Sequence, residues 1–128
     1  MLDQFTRNVF RDTPDSFVSD PKALALALDG IERGHDQAVP PMARIFCYLP
    51  LEHAEDAALQ ARAVALMQAL RDDPRAEPKA FFDNTLDFAR RHQAVIERFG
   101  RFPHRNAILG RASTAEEQAY LAQPGAGF

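Results

Sequence analysis

The chain has 128 residues, of which 46% are hydrophobic and 26% are charged, and its net charge at neutral pH is −3. This length suits one domain, and the composition can build a core and excludes a disordered chain. The slightly acidic balance argues against general nucleic-acid binding. The sequence has neither an apolar run long enough for a membrane span nor a secretory signal. Cys47 is the single cysteine, so no internal disulfide is expected and a cytoplasmic location is predicted.

Hydrophobic spacing predicts helices along the whole chain, and no segment alternates as a strand. The expected helices, about six, cover residues 2–10, 23–33, 40–49, 54–71, 79–99 and 113–121. Gly34 and Gly100 are expected to end two of them, and a third is expected to close before Pro50. The last is expected to begin with a capping box at Ser113–Glu116. Because short connections favour antiparallel neighbours, the predicted fold is all-α, one helical domain over residues 1–128.

The segment Phe99–Arg111 mixes apolar side chains with arginines, a histidine and an asparagine. A solvent-exposed loop has no need of such apolar residues, and a core segment has no need of the charges. Segments of this kind usually place buried polar groups in defined hydrogen bonds, either for architecture or for a site. The segment Phe99–Arg111 is therefore the main candidate for a functional segment.

Three blocks of the sequence carry a family resemblance. They are Leu2-Asp3-Gln4-Phe5-x-Arg7-Asn8-x-Phe10-Arg11, Tyr48-Leu49-Pro50-x-x-His53-x-Glu55-Asp56, and Phe99-Gly100-Arg101-Phe102-Pro103-His104-Arg105-Asn106 with Gly110-Arg111. In this order they resemble the bacterial domain-of-unknown-function family 924 (DUF924) over almost the whole chain. The resemblance implies an all-helical fold similar to tetratricopeptide-repeat (TPR) proteins, and it implies no established activity. Members of that family carry further helical sequence before the first block, so the chain is expected to be short at its N-terminus.

Charge is distributed unevenly along the sequence. Residues 90–111 hold six arginines against the single acid Glu97, whereas residues 52–83 hold seven acids against four bases. Two interpretations remain open: the two regions pair with each other in the fold, or the arginines form an anion-binding surface. The modest net charge favours pairing.

Polar residues at the two ends of the chain form the main candidate binding site. They are Asp3, Gln4, Arg7, Asn8 and Arg11 with Arg101, His104, Arg105 and Asn106. Arginine and asparagine can hold a carboxylate or a phosphate through charge-assisted bonds. Alternatively, Asp3 pairs with an arginine and Asn106 caps a helix, so that the group is an architectural clamp. The clamp is the favoured interpretation, with part of the arginine surface left for a ligand.

A second group of carboxylates and imidazoles has the residue types of a metal site. It comprises Glu52, His53, Glu55 and Asp56, with His92 or His104. The Glu-x-x-His pattern of di-iron bundles is absent, and the acids after His53 are simpler to interpret as a helix start. His92 lies on the apolar stripe of its helix, where a hydrogen-bonded core histidine is more common than a catalyst. No metal and no cofactor are therefore predicted.

Three functions are consistent with the sequence. The first is a non-enzymatic, TPR-like module that binds a peptide, a protein or an acidic group around Arg101 and Arg105. The second is a small hydrolase or transferase for an anionic small molecule, with His104 or His53 as general base and an arginine as clamp. The third is self-association alone. Expected partners are thus a protein or peptide, or a second copy of the chain, with neither nucleic acid nor membrane.

Overall fold

The structure, a computed structural model, describes residues 2–128, and for Leu2 and Asp3 it describes the backbone alone. The helices are α1 (Leu2–Val9), α2 (Asp20–Glu32), α3 (Pro41–Glu52), α4 (Ala57–Asp72), α5 (Lys79–Phe99) and α6 (Ala115–Leu121). Short 3-10 turns lie at Pro14–Phe17, His35–Ala38 and Pro103–Arg105. Residues 2–128 contain no strand, so the predicted all-α class is confirmed. The TPR-like label stays a prediction.

Helices α2 to α5 pack mainly against their neighbours in the chain, α5 on α4, α4 on α3 and α3 on α2. Apolar side chains of α3, α4 and α5 form the main core, which contains Ile45, Tyr48, Met67, Leu70, Phe82, Leu86 and Ala89. A smaller cluster joins Val95 and Ile96 at the end of α5 to Phe102. The C-terminal segment therefore packs on the last turns of α5, which lie next to the end of α3.

Helix ends follow local signals in most places. Asp56 caps α4 by accepting a hydrogen bond from the backbone nitrogen of Leu59 at 2.9 Å. Helix α5 has the predicted bounds, and Gly100 ends it with φ of +71°, a left-handed conformation that favours glycine. The helix start predicted from the acids after His53 is thus confirmed for Asp56. Glu55 forms an ion pair with Arg111 instead.

Helix α3 does not close before Pro50, and that prediction is wrong. The helix continues to Glu52, with Pro50 buried in its last turn. Proline removes one backbone donor, but the next turn is still closed by the hydrogen bond from the His53 nitrogen to the Leu49 carbonyl at 2.9 Å. This extra turn places Glu52 on a buried face.

The capping box of α6 lies one residue later than predicted. The hydroxyl of Thr114 accepts from the Glu117 nitrogen at 3.1 Å, and the Glu117 carboxylate accepts from the Thr114 nitrogen at 2.8 Å. The hydroxyl of Ser113 instead accepts a hydrogen bond from the Asn106 amide at 3.0 Å. Tertiary contacts of Glu117 and Ser113 thus set the register of the cap.

The buried face of α5 excludes two of its phenylalanines. Phe81 and Phe88 are 41% and 38% exposed, whereas the side chains that face the core are Phe82, Leu86, Ala89, His92, Val95 and Ile96. Phe82, Leu86 and Ala89 belong to the main core with Met67 and Leu70 of α4, whereas Val95 and Ile96 pack with Phe102. His92 is buried as predicted. Phe88, one turn earlier on α5, is partly exposed and lines a cavity at the surface.

Candidate functional site

Arg101 and Asn106 form a structural clamp in the C-terminal segment. Arg101 makes a bidentate pair with the buried Glu117, with Nε–Oε1 of 2.7 Å and Nη2–Oε2 of 2.8 Å. The Asn106 amide donates to the same carboxylate at 3.2 Å. The hydrogen bonds from Arg101 and from the Thr114 backbone lower the pKa of Glu117 to about 2. Of the candidate binding residues, Arg101 and Asn106 therefore have a structural hydrogen-bond partner in Glu117.

A second clamp joins the segment to the loop after α3. Arg111 pairs with Glu55 through both nitrogens, at 2.7 and 2.9 Å, and the Glu55 carboxylate also accepts from the Phe102 nitrogen at 2.8 Å. Burial tends to raise the pKa of Glu55, but these hydrogen bonds outweigh it and the pKa is lowered. This pair links the acidic middle of the sequence to its basic C-terminal third, as the pairing interpretation expects.

The N-terminal candidates are divided between a cavity and the surface. Arg7 pairs with Asp20 at 2.7 Å and Gln4 lines the cavity, whereas Asn8 and Arg11 are exposed. The side chain of Asp3 lies outside the described residues, so its predicted pairing stays a prediction.

The two ends of the chain meet at Phe17. The guanidinium groups of Arg7 and Arg105 lie 4.9 and 4.8 Å from the centroid of the Phe17 ring. Cation–π contacts of this kind hold cations without neutralising them. The predicted meeting of the two blocks thus occurs through Arg7 and Arg105, while Arg101 and Asn106 lie in the clamp with Glu117.

A cavity of about 360 Å³ opens beside this meeting point. It lies between α1, α3, α4, α5 and the C-terminal segment. Its lining residues are Gln4, Arg7, Ile45, Leu49, Glu52, His53, Met67, Thr85, Phe88, His92, His104, Arg105 and Phe128. One part of the wall is cationic and another is apolar, the combination that small-molecule sites use for orientation and affinity.

Arg105 is the most unusual side chain of the cavity. It is 8% exposed, stacks on Phe102 at 4.6 Å and donates to the His53 carbonyl at 3.0 Å. Within the described part of the chain, its Nε has no hydrogen-bond partner. Burial and the nearby charge of Arg7 lower the pKa of Arg105 to about 10, against opposing effects of Glu55 and Asp20. Glu55 and Asp20 thus act on this guanidinium from a distance, and no ion pair joins it to a carboxylate among the described residues.

Glu52 and His92 form a buried pair on another wall. Glu52 is 3% exposed and His92 6%, and Oε1 of the first lies 3.1 Å from Nδ1 of the second. The same Nδ1 lies 2.8 Å from the Phe88 carbonyl, and since a carbonyl only accepts, the proton is on Nδ1. Burial raises the pKa of Glu52 to about 7 and lowers the pKa of His92 to about 4. His92 is therefore neutral near pH 7 and supplies no full charge to Glu52.

His104 and Phe128 complete the cavity. Burial, followed by the charge of Arg105, lowers the pKa of His104 to about 4, and its Nδ1 is buried without a hydrogen-bond partner among residues 4–128. The ring of Phe128 stacks on His92, with centroids 3.6 Å apart and planes at 17°. Nothing in the sequence pattern pointed to Phe128, because a ring after the flexible-looking stretch Gly125–Gly127 carries no periodic signal.

The carboxylates and imidazoles weighed as metal ligands have other contacts. The described residues hold no group of three histidine, cysteine or acidic side chains arranged for a metal ion. Of the considered ligands, Glu55 pairs with Arg111 and Asp56 caps α4. Nor is any helix of the described chain long and apolar enough to cross a membrane.

The fold and the cavity define an all-helical protein with an open, partly cationic pocket of small-molecule size. The chain belongs to the family of bacterial proteins of unknown function DUF924, whose model matches residues 1–125. It is similar to a solved structure, that of the protein of unknown function ATU0120 from Agrobacterium tumefaciens, at 47% identity and a TM-score of 0.83. The match covers 96% of this chain and 64% of that one, so the chain spans just under two thirds of that protein's length. None of the curated proteins is significantly similar in sequence.

Proposed function

We propose that the cavity binds a small organic anion and that Arg105 receives its carboxylate. The observation that carries this proposal is a guanidinium that is 8% exposed, lines the cavity and has an Nε without a hydrogen-bond partner in the described chain. A buried N–H donor without a partner is costly, and a ligand oxygen would satisfy it.

The charge balance around Arg105 favours an anion. Arg7 pairs with Asp20 and Arg111 pairs with Glu55, so the nearest acids already have cationic partners. Arg105 has no ion-pair partner among the residues described, and Arg7 adds positive charge. A carboxylate in the cavity would form charge-assisted hydrogen bonds with Arg105 and raise its lowered pKa.

The size of the cavity favours a small molecule over an extended peptide. A volume of about 360 Å³ is at the lower end of the range for small-molecule sites. Arg101, which the peptide-binding hypothesis used, is engaged by Glu117 in a bidentate pair. We therefore assign the binding of an acidic group to this cavity rather than to an arginine-rich surface. Peptide binding in a TPR-like groove is the less favoured function.

Titration with small monocarboxylates tests the proposal. The side-chain Nε–H resonance of Arg105 should shift on addition of 3-phenylpropionate or 4-methylpentanoate, with saturation. Arg105→Gln should weaken binding by at least about tenfold, because one charge-assisted hydrogen bond is lost. Arg98→Gln is the matched control, since Arg98 forms an exposed pair with Glu116 remote from the cavity lining.

The proposal fails if no carboxylate shifts the Arg105 resonance, or if Arg105→Gln binds as wild type does. Arg105 also packs on Phe17 and Phe102, so the variant's thermal unfolding must be measured in parallel. Arg105→Lys retains the charge and most of the stem, and it should fold while losing the Nε donor. Weaker binding by a folded Arg105→Lys would still support the proposal.

Acid–base catalysis on the bound anion is the second candidate function. Its specific support is Glu52, a buried carboxyl in the same cavity whose pKa is raised to about 7, near the value that favours proton transfer at neutral pH. His104 fits the role of general base less well, because its pKa is lowered to about 4. If catalysis occurs, Glu52→Gln should abolish turnover of a bound carboxylate ligand, measured by product NMR, without abolishing ligand binding.

The proposed location is the reducing cytoplasm. Cys47 is half-buried and unpaired, and burial is the main cause that raises its thiol pKa. A high pKa keeps the thiol protonated and slow to oxidise. This supports the expectation from cysteine content, and fractionation of cells that produce the protein would test it.

A further inference from the structure

We infer that the ligand of the cavity is a zwitterionic amino acid with an apolar body, whose carboxylate meets Arg105 and whose ammonium group meets Glu52. This inference rests on the proposed function and adds the chemical class of the ligand. It is carried by two buried ionisable groups of opposite sign that line one cavity, neither of which has a charged ion-pair partner near neutral pH among the described residues.

Glu52 is the anionic half of the site. It is 3% exposed, and its one ion-pair contact among the described residues is His92 at 3.1 Å. His92 is neutral at physiological pH because burial lowers its pKa to about 4. Burial alone accounts for the raised pKa of Glu52, so no protein cation offsets the cost of its charge. An ammonium group in the cavity would supply that cation.

Arg105 is the cationic half of the site, and it belongs to a different element from Glu52. Glu52 is the last residue of α3, whereas Arg105 reaches the cavity from the 3-10 turn after α5. His53 directly follows Glu52 at the end of α3. Its carbonyl accepts a hydrogen bond from the Arg105 guanidinium at 3.0 Å. The two groups therefore line one cavity from two different elements, as recognition of a molecule with two opposite charges requires.

Apolar side chains form the remaining wall. Ile45, Leu49 and Met67 line the cavity from α3 and α4, Phe88 lines it from α5, and the ring of Phe128 stacks on His92. Such a wall suits an aliphatic or aromatic body and is unfavourable for a second charged group. A dicarboxylate or a phosphate ester would leave Glu52 facing like charge, so the wall and Glu52 together select an amino acid with an apolar side chain.

The test compares probes that share one apolar body and differ in charge. L-phenylalanine and 3-amino-3-phenylpropanoate place the ammonium group at two positions, and 3-phenylpropionate lacks it. Near pH 8, where Glu52 is mostly ionised, at least one amino acid should bind wild type about tenfold more tightly than 3-phenylpropionate. Leucine against 4-methylpentanoate repeats the comparison with an aliphatic body.

Glu52→Gln should reduce that preference to near one while leaving 3-phenylpropionate bound. Glu97→Gln, an exposed glutamate on α5, is the matched control and should leave the preference unchanged. If 3-phenylpropionate binds wild type as tightly as both amino acids, the inference is wrong and the proposed function stands. If no probe of either kind binds, both are wrong. The wild-type comparison decides the point even where Glu52→Gln does not fold.

Discussion

At the residue scale, the cavity is lined by three titratable groups, the buried Glu52 and His92 and the half-buried His104, whose pKa values are shifted toward the neutral form. Burial raises the pKa of Glu52 to about 7 and is the first cause that lowers those of His92 and His104 to about 4. All three are therefore mostly neutral near pH 6, and ionisation of any of them opposes folding. The histidines become unfavourable in acid, whereas Glu52 becomes unfavourable toward alkaline pH.

Replacing Glu52 with glutamine isolates its contribution to the pH dependence of stability. A carboxyl whose pKa is raised on folding stabilises the fold below its unfolded pKa, and this contribution is lost as pH rises through the folded value. For Glu52 that window extends from 4.5 to about 7. The free energy of unfolding of wild type, relative to Glu52→Gln, should therefore fall by about 2 kcal/mol between about pH 5 and about pH 8.

Urea denaturation of both proteins at the two pH values measures this difference. The histidines act in the opposite sense, because a lowered pKa makes the fold gain stability as pH rises from about 4 to 6.5. Their effect is common to both proteins and cancels in the comparison. A difference that does not change with pH would contradict the raised pKa of Glu52.

At the scale of elements, the segment after α5 is held by charge-assisted hydrogen bonds rather than by a large apolar face. Arg101 and Asn106 converge on Glu117 of α6, and Arg111 joins the segment to Glu55. The apolar contribution comes mainly from Phe102, which is fully buried against the end of α5. These bonds fix the 3-10 turn that carries His104 and Arg105, so the clamps determine the geometry of the cavity.

Breaking the longer clamp should therefore loosen the segment. Arg111→Ala removes two hydrogen bonds to Glu55, one to the Asn106 side chain and one to the Phe102 carbonyl. We expect a loss of about 2 kcal/mol, or a Tm lower by roughly 8 °C, because half-buried acceptors lose a charged donor. Arg98→Ala, in an exposed pair, should change Tm by no more than about 2 °C. Equal effects of the two variants in a thermal melt would show that the clamp is not structural.

Glycine positions provide a second pair of matched variants. Gly100 ends α5 with φ of +71°, and Gly100→Ala should destabilise by about 1 kcal/mol through backbone strain. Gly30 lies inside α2, where an added Cβ meets nothing within 4 Å, so Gly30→Ala should stabilise by roughly 0.5–1 kcal/mol. Chemical denaturation of both variants gives the signs, and a stabilising Gly100→Ala would contradict the assigned helix end.

At the scale of the whole molecule, apolar side chains remain exposed across α1, α2 and α3. The most exposed of them are Phe5, Val9, Val18, Leu26 and Phe46, each more than half exposed. A second cavity of about 380 Å³, lined mostly by apolar groups, lies between α2 and α3 beside Leu26 and Phe46. Exposed apolar area of this kind is typical of an interaction surface.

Self-association of the chain, expected from the sequence, stays a prediction, and the face around α2 and α3 is where it would occur. Sedimentation velocity over a range of concentrations should show association that weakens in Leu26→Ser and Phe46→Ser, because each removes exposed apolar area. Leu109→Ser, a partly exposed leucine in the C-terminal segment, is the control. A monomer at every concentration would remove this prediction.

Most helices could be predicted because their signals are local. Gly100 ends α5 and Asp56 begins α4 through interactions within a few residues of each position. The predictions that failed depended on contacts distant in sequence. Pro50 remains inside α3 because it is buried in the last turn, and the cap of α6 shifts because Glu117 serves Arg101 and Asn106 as well.

The sequence by itself determined the all-α class, the family and the two polar blocks, because periodicity and motif spacing are properties of the chain. Only the tertiary structure decided which arginines form ion pairs with carboxylates of the protein. Arg101 and Arg111 find carboxylates and become clamps, whereas Arg105 is buried beside a cavity with its Nε unpartnered in the described chain. The physical reason is that pairing depends on distances between helices, and burial shifts the pKa values of Glu52 and Arg105; the order of residues specifies neither the distances nor the burial.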